Sequence, residues 1–234
     1  MITQYLLPDS AETAQAELAG GAALIAGGTL ALPRGIEADR VVGLARAGLD
    51  GIERSGGRTT IGATATLAAV AKVGGALGEA AAEIGGPALR NMATVGGNLF
   101  AGAPYGDLGV VLLALGAEAD GLPLDEMWAA PPPLVRAVSF DDAPAVYVRW
   151  ARRAANSPAV VSVAVSGGRV ALGGVAPHPV RSPAAEAHLD DPARAGSEAA
   201  AAVDPPTDAL ASSWYRKRMT EVFVRRALEE SHAI

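Results

Sequence analysis

The chain contains no cysteine. Its own residues therefore cannot hold an iron–sulfur cluster by thiolates, form a disulfide or supply a cysteine nucleophile. Histidine is scarce as well: His178, His188 and His232 stand apart without a metal-ligand spacing and are expected as solvated surface residues. Lysine occurs only at Lys72 and Lys217, and the net charge is −6. With Arg216-Lys217-Arg218 as the one short cationic cluster, a nucleic-acid surface is excluded, because neutralising phosphates needs clustered cations. No apolar run reaches the roughly eighteen residues that cross a bilayer, and Met1-Ile2-Thr3-Gln4-Tyr5 has no basic segment leading into an apolar core. The expectation is a cytoplasmic protein without a transmembrane segment.

Several motifs are missing too. No two glycines are separated by a single residue, so the Rossmann fingerprint is absent, and there is neither a Gly-Lys pair nor a Gly-x-Ser-x-Gly elbow. The carboxylate pairs Asp141-Asp142, Asp190-Asp191 and Glu229-Glu230 lie in polar, surface-like segments. Few residues are left for acid–base or nucleophilic work, which points to a chain whose chemistry comes from a bound cofactor.

What the sequence has in quantity is glycine, 28 residues that include eight adjacent pairs. A glycine pair alone marks a turn. Two pairs have more context. Ala22-Ala23-Leu24-Ile25-Ala26 is a short apolar run, expected as a buried strand, that delivers Gly27-Gly28-Thr29-Leu30. About seventy residues later Arg90-Asn91-Met92-Ala93-Thr94-Val95-Gly96-Gly97-Asn98-Leu99 precedes Ala103-Pro104-Tyr105-Gly106-Asp107-Leu108. Glycines let backbone approach a ligand closely, and successive N–H groups turned inward form a nest for phosphate.

At 234 residues, 50% hydrophobic and 19% charged, the chain is globular and long enough for one large domain or two small ones. A helix is expected from Asp9, with Glu12 completing a capping box, to Gly20-Gly21. Arg40 to Leu44 is expected as a second strand, and Ile52-Glu53-Arg54 with Thr59-Thr60-Ile61 as a hairpin. Thr66 suits the N-cap of a helix from Leu67 to Lys72, and Ala76 to Ile84 forms another. Leu108 to Leu115 is buried helix or strand; periodicity does not decide. Pro131-Pro132-Pro133 marks a boundary. Beyond it Ala159 to Val165 and Arg169 to Val175 make a hairpin, Ser182-Pro183 opens a helix, and Ala199 to Pro206 is a loose connector. A final helix from Ser213 to Leu228 carries Tyr215, Met219, Val222 and Phe223 on one face, with Arg216, Lys217, Arg225 and Arg226 on a solvated basic side.

The two glycine loops in this order resemble the diphosphate-binding loops of the FAD-binding medium subunit of the molybdenum hydroxylases, the xanthine dehydrogenase, carbon monoxide dehydrogenase and aldehyde oxidoreductase type. Tyr5…Pro8, Ile61-Gly62-Ala63, Tyr147…Arg152-Arg153-Ala154, Leu172-Gly173-Gly174-Val175-Ala176 and Ser213-Trp214-Tyr215-Arg216 extend the resemblance over nearly the whole chain. It implies an α+β fold: an FAD-binding region over 1–140, of two α/β subdomains at about 1–55 and 56–140, and a C-terminal domain over 145–234 built on a three-stranded antiparallel sheet with helices. It implies FAD held by Ala26, Gly27, Gly28 and Thr29 on one side of the diphosphate and by Thr94, Gly96, Gly97 and Asn98 on the other. Asp107 would bond the cofactor's hydroxyls or adenine side, while Leu30 and Leu108 are contacts or core.

The function implied is that of an electron-transfer flavoprotein in an oxidoreductase. It would take electrons from the clusters of a 2Fe-2S small subunit, after substrate oxidation in a molybdopterin-binding large subunit, and pass them to NAD, a quinone or another acceptor. A dimer of heterotrimers is the implied assembly. The alternative is a non-enzymatic assembly subunit that has lost FAD. Two departures from the family stand out: Gly116 to Asp142 is compressed and rich in proline, and Arg149 replaces a common lysine, which keeps the charge but alters the hydrogen-bonding geometry.

Overall fold

A computed structural model describes residues 2–154 and 156–233. The first helix, Ala11–Ala19, begins one residue later than expected. Ser10, not Asp9, is its N-cap, because the Ser10 hydroxyl accepts from the Thr13 N–H at 3.2 Å. The strands Gln4–Leu6, Arg40–Gly43 and Ala23–Ile25 then form a small parallel sheet with Arg40–Gly43 in the centre. Its central valines, Val41 and Val42, are wholly buried.

The expected hairpin is present as Ile52–Ser55 and Arg58–Gly62, and its register sets Ile52 opposite Ile61 and Arg54 opposite Thr59. It enters a second sheet of five strands, completed by Ala137–Asp141, Glu118–Ala119 and Leu122–Pro123. Residues 52–55 thus lie with the second sheet, on the far side of the division expected near residue 55. The Thr66 hydroxyl caps the short helix Leu67–Val70, accepting from the Ala69 N–H at 3.2 Å, and the next helix is Gly75–Glu83. The ambiguous apolar segment is helix Asp107–Ala114. Every residue of it is buried, which is why no 3.6-residue pattern was visible in the sequence.

The C-terminal sheet is antiparallel in the order Val180–Arg181, Arg169–Gly173, Ala159–Ser166, Val146–Ala151. Three strands were expected; the fourth is a two-residue edge. Ala159–Ser166 is buried at all eight positions because helices cover both faces. Alternation along the strands divides the work. Val146, Val161, Val163, Val165, Val170 and Leu172 pack toward the long helix Ser213–Ser231 and the helix Pro192–Ala202. Tyr147, Ala164 and Ala171 face the other way and join the core around helix Asp107–Ala114. The residues on that second face are small where the helix approaches. A Cβ at Gly173 would overlap both the Ser162 hydroxyl and Val110, so glycine there sets how closely helix and sheet can pack.

Three other expectations are corrected. Helix Pro192–Ala202 takes in the first part of the expected connector, since Pro192 at its first turn and the Asp191 side chain, accepting from the Arg194 N–H, start it well upstream. Arg216 is not on a solvated face: it is 1% exposed, donating to the carbonyls of Val160 and Gly174 and making a bidentate pair with Asp208. His178 is half-buried and stacked on Trp128 with ring centroids 5.7 Å apart, because the chain after Val175 returns across helix Asp107–Ala114.

Candidate functional site

All ten residues expected at a ligand site border one cleft of about 930 Å³, a volume in the range of ~300–1,000 Å³ common for small-molecule sites. Ala26, Gly27, Gly28, Thr29 and Leu30 form one wall and Thr94, Gly96, Gly97 and Asn98 another, with Asp107 between them and the C-terminal sheet. The two glycine loops touch: a Cβ on Gly27 would overlap the Met92 carbonyl. Gly97 differs. Only the Thr94 hydroxyl, at 3.0 Å, lies near the position of its Cβ, so on that side the protein itself leaves the space open.

The two loops are not equivalent as donors. In the second, the Val95 N–H bonds the Ala65 carbonyl, Gly96 bonds Ala63, Gly97 bonds the Thr94 hydroxyl and Asn98 bonds the Thr94 carbonyl. The nest expected at Gly96-Gly97 is therefore filled from within, because Thr94 caps the short helix Val95–Leu99. In the first loop the N–H groups of Gly27, Gly28, Thr29 and Leu30 have no acceptor among the described residues. Four successive donors without partners are an anion cradle. Asn98 adds an acceptor: its amide nitrogen donates to the Tyr105 carbonyl at 2.8 Å, while its buried Oδ1 has no partner among the described residues. A diphosphate with hydroxylated neighbours fits this donor and acceptor set.

Asp107 is 6% exposed. Its Oδ1 accepts from the Ser162 hydroxyl at 2.8 Å, and its Oδ2 lies 3.8 Å from Arg149 Nη1. Ser162 and Arg149 are cross-strand partners, so adjacent strands present both to the carboxylate. Burial pushes this carboxyl up to about 6, against the pull of Ser162 and Arg149. Tyr147, on the same strand as Arg149, has a buried hydroxyl without a hydrogen-bond partner among the described residues, and burial pushes its ionisation well above the usual range.

Sequence reasoning missed Ser162, Glu83 and Ser157. Ser162 did leave a signal, as the one polar residue inside the run Ala159 to Val165. Glu83 left none, since a glutamate ending a helix looks like any solvated residue. The proline run within the compressed segment is also at the site: Pro131, Pro132 and Pro133 line the cleft before the chain re-enters the five-stranded sheet at Ala137.

Comparison with known proteins decides the family. The FAD binding domain in molybdopterin dehydrogenase matches residues 1–120, and the CO dehydrogenase flavoprotein C-terminal domain matches residues 146–231. The chain belongs to the FAD-binding flavoproteins of the molybdopterin dehydrogenases. This flavoprotein is the FAD-carrying component of an oxidoreductase. Over its full length it is similar to a chain of carbon monoxide dehydrogenase from Hydrogenophaga pseudoflava, with 26% identity, 98% of that chain covered and a TM-score of 0.90. Reconstituted CO dehydrogenase from Oligotropha carboxidovorans has a chain 26% identical over 98% of this one and 96% of that, with a TM-score of 0.82. Quinoline 2-oxidoreductase from Pseudomonas putida 86 shares the fold at 22% identity and a TM-score of 0.84, covering 98% of the flavoprotein and 96% of its own chain. No curated protein matches by sequence. Among the described residues no group of His, Asp or Glu is placed to hold a metal ion, and no helix is long and apolar enough to cross a membrane.

Proposed function

We propose that this flavoprotein is the electron-exit subunit of a molybdenum hydroxylase. Electrons released from substrate in a molybdopterin-binding large subunit reach it through a 2Fe-2S small subunit and leave to NAD, a quinone or another acceptor, in a cytoplasmic dimer of heterotrimers. The observation that carries the reading is the row of four unpartnered N–H groups at Gly27 to Leu30, set opposite the partnerless Asn98 Oδ1 in one cleft. FAD, when bound, supplies the capacity to take electrons in and hand them on.

The chain's own residues bind and orient. The N–H groups of Gly27, Gly28, Thr29 and Leu30 donate to the diphosphate, and Ala26 links them to the end of strand Ala23–Ile25. Thr94, Gly96, Gly97 and Asn98 form the facing wall, with Asn98 Oδ1 accepting from a cofactor hydroxyl or amine. Asp107 accepts from a hydroxyl through the lone pairs that Ser162 leaves free. Pro131 to Leu134 close the apolar side and exclude water, which strengthens every polar contact inside. In this reading residues 1–140 are the cofactor-binding region and 145–234 the domain that completes the cleft, through Arg149 and Asn156 to Pro158.

Chromatography of cofactor released from the purified complex should show FAD and not FMN, which lacks a diphosphate. Anaerobic addition of substrate to the assembled complex should bleach the flavin band, and the isolated chain should show no such bleaching. FMN, no flavin, or substrate-dependent bleaching by the chain alone would overturn the assignment.

A further inference from the structure

Arg149 is a buried cation shared unequally. Its side chain is 9% exposed, with Nε 2.8 Å from Glu83 Oε2, Nη1 donating to the Glu83 carbonyl at 3.3 Å and Nη2 to the Ser157 carbonyl at 3.0 Å. Asp107 Oδ2, at 3.8 Å, receives only the longer-range attraction. The nearer partner is the less obvious one. Glu83 is half exposed and is the last residue of helix Gly75–Glu83, where the helix dipole disfavours an anion. Arg149 offsets both charges there, since it bonds the Glu83 carboxylate and the carbonyl at the helix end.

We propose that Glu83 is a positioning residue of the cofactor cleft: by gripping Arg149 it divides one buried cation between two carboxylates, and so sets how firmly Asp107 is held as an anion beside the bound ligand. The groups facing Asp107 are Arg149 and Tyr147 from the edge strand, Ser162 from the central strand, Glu83 from the helix end, and His178 across a small void. Arg149 is the cation that acts on the Asp107 carboxyl, and Glu83 competes for it. Removing the Glu83 charge leaves Asp107 as the carboxylate that answers Arg149, whose bonds to the Glu83 and Ser157 carbonyls remain.

The proposal rests on the reading of the cleft as the FAD site, and its test keeps the two apart. Full-length parent, Glu83→Gln, Glu83→Asp and Asp107→Asn chains are compared. Side-chain carboxyl 13C NMR follows titration in the cofactor-free protein, with the Asp107 signal identified by its loss in Asp107→Asn. FAD affinity is measured by flavin fluorescence over the same pH range. In Glu83→Gln the Asp107 titration should move down by about one pH unit, and the pH below which FAD affinity falls should move down with it. Glu83→Asp, which keeps the charge, should leave both close to the parent. An Asp107 titration unmoved in Glu83→Gln overturns the charge sharing. A titration that moves while the FAD profile stays fixed overturns the positioning role. A parent chain that binds no FAD at any pH overturns the cleft reading, and the proposal with it.

Discussion

Replacing Asp107 by asparagine should make the cofactor-free protein more stable at neutral pH, although it removes a group that lines the cleft. The carboxyl rises from 3.8 to about 6 on folding, first because burial strips it of water. An acid whose folded value is the higher one binds its proton more readily in the folded state. The stabilisation this gives is fully present below 3.8 and is lost as the pH climbs through about 6. At about 1.36 kcal/mol per unit, the ionised carboxylate costs the fold about 3 kcal/mol above that range. Asparagine carries no such charge. Its carbonyl can still accept from Ser162, but its amide nitrogen faces the Arg149 guanidinium, which cannot accept a hydrogen bond, so about 1 kcal/mol is given back. The expected gain is therefore about 2 kcal/mol at about pH 7.5, shrinking toward zero or below at about pH 5. Urea unfolding of both proteins at the two pH values measures it. A variant less stable than the parent at both, or a difference that does not change with pH, would refute the reasoning that burial strains this carboxylate. The same variant should hold FAD less tightly, which would make Asp107 a residue retained at the expense of stability.

Gly27→Ala puts a methyl group into the Met92 carbonyl, so it should cost about 1–3 kcal/mol of stability through overpacking and also lower the flavin content. Gly97→Val should empty the site while changing the unfolding free energy measured in urea by less than about 1 kcal/mol, since only the Thr94 hydroxyl is near; stoichiometric FAD in this variant would reduce Gly97 to a turn residue. Arg216→Met removes the cation from Asp208, which keeps the Leu210 and Ala211 N–H groups, and takes the guanidinium donor from the carbonyls of Val160 and Gly174. The expected loss is about 3 kcal/mol, the low end for a broken buried pair, because the Asp208 side chain is 42% exposed and can turn to water. A thermal midpoint that barely moves would show that the guanidinium is not a structural hub.

The strands were legible where apolar runs met glycine turns, as at Ala23–Ile25 and Ala159–Ser166, and helix starts were legible where a hydroxyl stood one residue ahead, as at Thr66 and Ser182. Helix Asp107–Ala114 was not, because complete burial erases the pattern that distinguishes a helix from a strand. Arg216 escaped for a different reason. Helical spacing places a charge on a face, but not what covers that face, and here the carbonyls come from strand Ala159–Ser166, 56 residues away, and from the residue that follows strand Arg169–Gly173, 42 residues away. The positions of the cleft residues followed from the glycine loops. Which loop offers free donors did not, since that depends on Ala63 and Ala65 meeting Gly96 and Val95 across the chain.

Helix Asp107–Ala114 lies against the strands Ala159–Ser166 and Arg169–Gly173 as well as the helices Gly75–Glu83 and Val95–Leu99. It belongs in sequence to the first half of the chain and in packing to both halves. A protein cut near residue 145 would thus present Leu108 to Ala114, all buried in the whole chain, as an open greasy flank. Such a fragment should aggregate during expression rather than fold as a separate cofactor-binding module, and fusions or split reporters built on this flavoprotein should keep both halves in one chain.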